Sequence, residues 1–215
     1  MTLNTLRDLL AAIDELGELR RVTQPVRVEL EICEIADRVM KQPGGGPALL
    51  FEHPVLPDGA RSPYPVAINL FGSMRRMALA LGVGALDEHA ARITELLNVK
   101  VPEGIVGKLS LLPKLFEVAK FPPRMAGGSP ACQEIVWRGA DIDLRKLPII
   151  TCWPADGGPY ITLPMMISKD PVRGIRNVGM YRVQFLDARS LAMHWQRHKV
   201  GAAHWREMAE RKERM

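Results

Sequence analysis

Between Phe121 and Pro130 the chain reads Phe-Pro-Pro-Arg-Met-Ala-Gly-Gly-Ser-Pro, and no regular helix can run through it. Each proline removes a backbone donor and clashes with the preceding turn, and the paired glycines leave the backbone unusually free. Such a stretch reads as a connection. It divides the 215 residues into a front part, 1–122, and a back part, 131–215, whose apolar patterns differ.

The front part alternates between helical and extended patterns. Leu6, Leu9, Leu10, Ile13 and Leu16 repeat with the 3.6-residue period, with Asn4 or Thr5 to cap the helix and Gly17 to stop it. A short strand is expected over Glu18–Val22, then a helix over Val28–Met40 through Ile32, Ile35, Ala36 and Val39, ended by Gln42-Pro-Gly-Gly-Gly-Pro47. Ala48–Glu52 and Val66–Phe71 read as buried strands around a proline-rich loop, and helices follow over Ser73–Leu81 and Leu86–Leu97. In the back part Ala131–Trp137, Tyr160–Ser168, Asn177–Phe185 and Ser190–His194 read as strands separated by turns, the pattern of an antiparallel sheet or barrel. The sum is an α+β fold, an α/β front domain followed by a β-rich one. The last residues, Gly201–Met215, are helical, with Glu207/Arg211 and Glu210/Arg214 spaced as i,i+4 pairs. So few strands leave an open edge that needs cover, either from a partner chain or a second copy.

Composition excludes several classes. No run of 18 apolar residues exists and the first residues lack the layout of a signal peptide, so a cytoplasmic protein without a transmembrane segment is expected. Cys33, Cys132 and Cys152 are odd in number and far apart in sequence, which suggests packed thiols rather than a disulfide framework or a zinc ribbon. The net charge is +5, but Lys and Arg are interleaved with acids and aromatics are only 6%, so nucleic acid is not the expected partner. Gly72-Ser-Met-Arg-Arg76 reads as a helix cap with a solvated basic face, and Gly44-Gly45-Gly46 as a turn, since neither carries a phosphate-loop pattern.

Chemistry concentrates near the end. Asn177-Val-Gly-Met-Tyr-Arg182 and His194-Trp-Gln-Arg-His198 put an amide, a guanidinium, a phenol and two imidazoles within 22 residues. An Asn oxygen and a neutral imidazole both ligate divalent metals, but two ligands need a carboxylate or phosphate to complete the set. Arg182, Arg197 and Lys199 favour an anion, so a phosphorylated cofactor tied down by a metal is the economical reading. The same residues also read blandly: His194 and His198 as half-exposed polar histidines, Asn177 as a turn residue, Cys152 as a packed thiol.

Ile150-Thr-Cys-Trp-Pro154, Asn177-Val-Gly-Met-Tyr-Arg182 and Met193-His-Trp-Gln-Arg-His-Lys199, in this order, resemble the UbiD family of prenylated-FMN-dependent decarboxylases. Leu6-Arg-Asp-Leu9, Gly17-Glu-Leu-Arg-Arg21, Glu31-Ile-Cys-Glu-Ile-Ala-Asp37, Gly46-Pro-Ala-Leu-Leu-Phe-Glu52 and Asn69-Leu-Phe-Gly72 are similar to runs the family places near its start.

The resemblance implies that the back part begins a flavin-binding split β-barrel, apparently incomplete, and that the activity is removal of CO2 from an aromatic or α,β-unsaturated acid. A 4-hydroxy-3-polyprenylbenzoate-type acid of ubiquinone biosynthesis is one example. It implies prenylated FMN supplied by a flavin prenyltransferase, a divalent metal such as manganese, and a potassium ion. Asn177 and His198 would ligate the metal. Met180, Tyr181, Arg182, His194, Trp195, Gln196, Arg197, Lys199 and Val200 would border the cofactor, with Arg182 also facing the reacting centre. Trp153 would lie near the entrance. The family carries Gly-Gly where this chain has Val200-Gly201, and its third metal ligand and proton donor, both acidic and farther downstream, have no match here. The chain alone is therefore expected to be inactive. The alternative is a non-catalytic truncated or split module that assembles with a partner chain.

Overall fold

A computed structural model describes residues 3–98, 116 and 127–215. Helix α1 (Leu6–Glu15) starts where Thr5 accepts from the Asp8 amide while the Asp8 carboxylate accepts from the amide of Thr5, a reciprocal cap. Strand β1 (Leu19–Val22) pairs in parallel with β3 (Ala48–Phe51), and β3 pairs antiparallel with β5 (Val66–Ile68). A second, two-stranded parallel pair joins β2 (Val26–Arg27) to β4 (Pro54–Val55). Helix α2 (Glu31–Met40) turns Ile32 and Ala36 into the core, where they meet Val26, Val28, Leu49 and Phe51. Helices α3 (Met74–Leu81) and α4 (Leu86–Leu97) complete the front part, with α3 against both α1 and α4.

Two expectations for the front part change. Helix α2 begins at Glu31 rather than Val28, because Val28 and Leu30 use their backbone groups in extended pairing: the Val28 amide donates to the Val55 carbonyl at 3.0 Å and the Leu30 amide to the Thr151 carbonyl at 3.0 Å. Ser73 caps α3 as expected, accepting from the Arg76 amide, but the basic face is not fully solvated. Arg76 is completely buried. Its guanidinium meets Glu18 at 2.7 Å and the Asn69 carbonyl at 3.2 Å, while Arg75, on the exposed side, reaches the same carboxylate.

Beyond the connection, whose residues up to 126 lie outside the described ones, Ala131–Trp137 does not form the expected strand. A short 3-10 turn, Ala131–Gln133, follows Pro130, and the amides of Gln133 and Glu134 bond locally to the carbonyls of Pro130 and Ala131. The run pairs with no strand among the described residues, and Ile135 and Val136 are exposed. Farther on, the single strands expected over Tyr160–Ser168 and Asn177–Phe185 are each broken in two, into β6 (Tyr160–Ile161) and β7 (Met165–Lys169) and into β8 (Arg176–Met180) and β9 (Val183–Asp187), while Ser190–His194 is present as β10 (Ser190–Met193). They form a three-stranded antiparallel sheet, β10-β9-β6, and a two-stranded ribbon, β7-β8. Helix α5 (Val200–Glu210) packs on the ribbon, and Arg211 and Glu207 form the expected pair at 3.0 Å.

Ile150 joins the two parts. Its side chain is buried in the front core, and its carbonyl accepts from the Tyr160 amide at 2.9 Å, where β6 begins. Cys152 packs on the same core beside Cys33, so two cysteines far apart in sequence are neighbours in space. Burial, then the hydrogen bond with Cys152 and the nearby Cys152 and Asp156, push the Cys33 thiol up to about 12, which makes it an inert packed thiol at neutral pH. Among the described residues no helix is long and apolar enough to cross a membrane.

The Glu18–Arg76 pair gives a test of the front part. Burial alone would raise the Glu18 pKa, but hydrogen bonds from Ser73 and Arg76 and the charges of Arg76 and Arg75 hold it below its ordinary value. A depressed folded-state pKa means stability that is present above the ordinary Glu range and lost as pH falls toward the folded-state value. Glu18→Gln leaves Arg76 buried without its counter-charge and is expected to cost about 3 kcal/mol in urea denaturation at pH 7. The difference from the unsubstituted chain should shrink on acidification, whereas a pH-independent gap would show that the charge is not what matters.

Candidate functional site

The ribbon β7-β8 sets the site. Its register pairs Ser168 with Asn177, Ile167 with Val178, Met166 with Gly179 and Met165 with Met180. Alternation sends Asn177, Gly179 and Ser168 to the face covered by α5, and Met165, Ile167, Val178 and Met180 to the opposite, exposed face. The turn between the strands is built on Asp170, whose carboxylate accepts from the amides of Val172 and Arg173 at 2.8 and 2.9 Å. Those hydrogen bonds, Arg173 first, hold the Asp170 carboxyl below its usual range.

On the covered face a chain of polar groups ends at Asn177. Its amide nitrogen donates to the Tyr181 hydroxyl at 3.2 Å and, more weakly, to Ser168 Oγ at 3.5 Å. Ser168 Oγ in turn lies 3.0 Å from Nδ1 of buried His204 on α5, and His204 Nε2 lies 4.0 Å from Asp170 Oδ2. With its nitrogen engaged, Asn177 has Oδ1 left over, and no described residue donates to it. That oxygen is the atom a metal would need. The Tyr181 hydroxyl also accepts from the Gly201 amide at 3.1 Å, so one buried phenol joins Asn177 to the first turn of α5. Trp195 meets Tyr181 edge-on at 6.1 Å.

Two glycines permit this closeness. A Cβ on Gly179 would stand 2.6 Å from the Tyr181 ring, and one on Gly201 3.1 Å from Trp195 and 3.2 Å from Tyr181. Val200, by contrast, is 49% exposed, so its branched side chain is accommodated at the position where the family carries another glycine.

The other expected site residues are distributed unevenly. Arg182 is exposed and its guanidinium lies 4.3 Å from the centre of the Tyr160 ring, with no acidic partner among the described residues. His194 donates its amide to the Arg182 carbonyl at 2.8 Å, which keeps the two motifs side by side. Gln196, Arg197, His198 and Lys199 form an exposed turn into α5, tied by the Lys199 amide to the Gln196 carbonyl at 3.0 Å and by Arg206 to the Arg197 carbonyl at 2.8 Å. Met180 is on the face of the ribbon away from Asn177, and Trp153 is exposed on the segment after Ile150. Among the described residues no three His, Cys, Asp or Glu side chains are placed to hold a metal together. Ser168, Asp170 and His204 escaped sequence reasoning: a hairpin centred on Asp170-Pro-Val-Arg-Gly174 would set Ser168 opposite Arg176, and only the six-residue turn 170–175 shifts it opposite Asn177.

An α+β chain of this kind has counterparts among known proteins. The family profile described as 3-octaprenyl-4-hydroxybenzoate carboxy-lyase N-terminal domain matches residues 10–96, and that described as the Rift-related domain of the same carboxy-lyase matches residues 124–215. The chain belongs to the UbiD family and matches its N-terminal portion. An uncharacterised protein of Aquifex aeolicus is 43% identical over 93% of the chain. The chain spans 40% of that relative's length. Among solved structures, the UbiD-class enzyme HmfF from Pelotomaculum thermopropionicum in complex with FMN is 24% identical with a TM-score of 0.71, over 97% of this chain and 40% of that one. Vanillic acid decarboxylase from Sedimentibacter hydroxybenzoicus, in closed form, is 22% identical with a TM-score of 0.76, over 99% and 41%. These two likenesses establish the shared fold.

Tyr181→Phe tests the joint. It keeps the ring against Trp195 but leaves the Gly201 amide unpaired in a buried place, and is expected to cost about 1–3 kcal/mol in urea denaturation. A cost near zero would mean that the phenol does not hold α5 to the ribbon.

Proposed function

We propose that this chain provides the front domain, residues 1–122, and the start of the prenylated-FMN domain, residues 131–215, of a non-oxidative carboxy-lyase acting on an aromatic or α,β-unsaturated acid. The observation that carries the reading is the anchored Asn177 amide, whose nitrogen is taken by Tyr181 and Ser168 and whose oxygen is left for a cation. Orientation of a ligand by hydrogen bonds behind it is how metal sites are fixed. The donors present fit a divalent metal such as manganese as a partial set: the Asn177 oxygen, with His198 on the turn before α5.

The flavin phosphate fits the same corner. Helix α5 has no acidic residue in its first turn and no side-chain cap at Lys199, so its amides and the charges of Arg197 and Lys199 favour an anion. Bound prenylated FMN would supply an electron sink for the pair left behind when CO2 departs. The protein's part is orientation and charge. Arg182, braced on Tyr160, offers a guanidinium that stays protonated at working pH and suits a carboxylate. Met180, Tyr181, His194, Trp195, Gln196 and Val200 are assigned to the cofactor's border by the family motifs, Met180 from the outer face of the ribbon. A potassium ion and a prenyltransferase that delivers the cofactor belong to the same reading. No described residue supplies the proton donor, so the chain by itself is assigned no turnover.

A second reading rests on the outer face of the ribbon. Met165, Ile167, Val178 and Met180 are 72%, 59%, 56% and 61% exposed, an apolar surface that favours assembly with a partner chain or a second copy.

Equilibrium dialysis of the purified chain with FMN and MnCl2 is expected to show weak, mutually dependent binding, reduced about tenfold by Asn177→Ala. FMN binding indifferent to both manganese and Asn177→Ala would remove the metal from the proposal. Supplied with prenylated FMN and a panel of aromatic and acrylic acids, the chain should release no CO2; turnover would refute the predicted incapacity.

A further inference from the structure

A cavity of about 710 Å³ lies away from the site just described, between the loop after β4 and the segment that leads to Ile150. Its position follows from strand register. Tyr160 pairs with Gln184 and Ile161 with Val183, and residues paired across antiparallel strands share a face. Arg182 stacks on Tyr160, so the Arg182 side of the sheet is that of Tyr160 and Gln184. The cavity is lined by Phe185, which alternates to the other side. Arg182 and this cavity therefore lie on opposite faces of one sheet.

Both walls are built before any ligand arrives. In the loop after β4, the Leu56 amide bonds to the Ala60 carbonyl at 2.8 Å and the Ser62 amide to the Pro54 carbonyl at 2.8 Å. Ser62 Oγ donates to the Tyr64 carbonyl at 2.9 Å while accepting from the Tyr64 amide at 3.0 Å. Opposite, Leu144 is fixed by its amide to the Ala188 carbonyl at 2.9 Å, and Lys146 lies 5.5 Å above the Trp137 ring. A pocket held this way loses little entropy on binding, and its volume suits a small organic molecule.

The charges and rings select the occupant. Arg145 forms a two-pronged pair with Asp143 at 2.8 and 3.0 Å. That pair, chiefly its hydrogen bond, raises the Arg145 pKa, with Asp58 adding to the effect, and the nearby charge of Lys146 helps to hold Asp143 below its usual range. Arg61 has no ion pair or side-chain hydrogen bond among the described residues, and Lys146 rests on a ring rather than a carboxylate. With Asp143 and Asp58 set against Arg145, Arg61 and Lys146, one positive charge remains, beside the rings of Tyr64, Trp137 and Phe185.

We propose that this cavity is a second ligand site, specific for an aromatic monoanion such as an aryl carboxylate, with the ring among Tyr64, Trp137 and Phe185 and the charge toward Arg61 and Lys146. It acts independently of flavin and metal. Isothermal titration of the purified chain, without flavin or metal, with 2-naphthoate is the test. A saturable 1:1 site with a dissociation constant on the order of 0.1 mM is expected. Neutral 2-naphthamide and the exposed substitution Arg61→Gln should each weaken binding about tenfold, as loss of a charge-assisted contact does. Ile167→Thr, on the outer face of the ribbon, should change nothing, and FMN should not displace the probe. No saturable heat, equal binding of the amide, indifference to Arg61→Gln, loss with Ile167→Thr, or displacement by FMN would each overturn the proposal. The amide comparison needs no variant, so it decides the matter even if a substitution harms folding.

Discussion

Two backbone hydrogen bonds at Thr151 hold the two parts of the chain in register, its amide to the Val28 carbonyl at 3.1 Å and the Leu30 amide to its carbonyl at 3.0 Å, and one residue back the Ile150 carbonyl passes that register on to β6 by accepting from the Tyr160 amide at 2.9 Å. They thread an extended segment of the back part into the front core, where the Ile150 side chain is 7% exposed. Burying such a side chain contributes roughly 2 kcal/mol, and the pairing fixes its direction. The consequence reaches the site. Strand β6 starts at Tyr160, β9 pairs on β6, and Arg182 enters β9 stacked on Tyr160, so the guanidinium is positioned from the front core by way of Ile150.

The second node is the Tyr181 phenol. It takes one hydrogen bond from the strand that carries Asn177 and one from the helix whose first turn follows His198. A hydroxyl with two lone pairs can accept both, which an aliphatic side chain of the same size could not. The glycines at 179 and 201 are part of the same device, because only their lack of Cβ lets strand and helix close on one ring. The His204–Ser168 contact behind Asn177 adds a further brace from the middle of α5. The Asn177 side chain and the start of α5 are thereby brought to one place by a single phenol.

Local patterns in the sequence carried most of the elements, and the failures share a cause. Periodicity located α1 and the body of α2 because each buries one face, and a one-sided burial pattern is what a sequence can display. The start of α2 was misplaced because Val28 and Leu30 answer to Val55 and Thr151, partners 27 and 121 residues away that no local window sees. Ala131–Trp137 has the residues of a strand, but it pairs with none among the described residues and begins in a 3-10 turn instead. Arg76 resembles any surface arginine until Glu18 is placed beside it. At the site, the motifs named Asn177 and Tyr181, but the phenol's role as the joint depends on a contact with Gly201 twenty residues on, and Ser168 and His204 carry no motif at all.

The unfinished features of the back part are of one kind. The ribbon shows an exposed apolar face, Met165, Ile167, Val178 and Met180, and the same strand sends Asn177 the other way, to the face covered by α5. In a sheet the two faces of a strand are fixed together: whatever covers Val178 and Met180 also pins the pleat that aims Asn177. A polypeptide segment that covered the outer face would therefore stiffen the inner one, even before contributing an acidic ligand of its own. Site completion and surface completion are in this sense a single step, and a flavin bound at the start of α5 would be expected to tighten when the outer face is covered, whether the cover comes from the same polypeptide or from another.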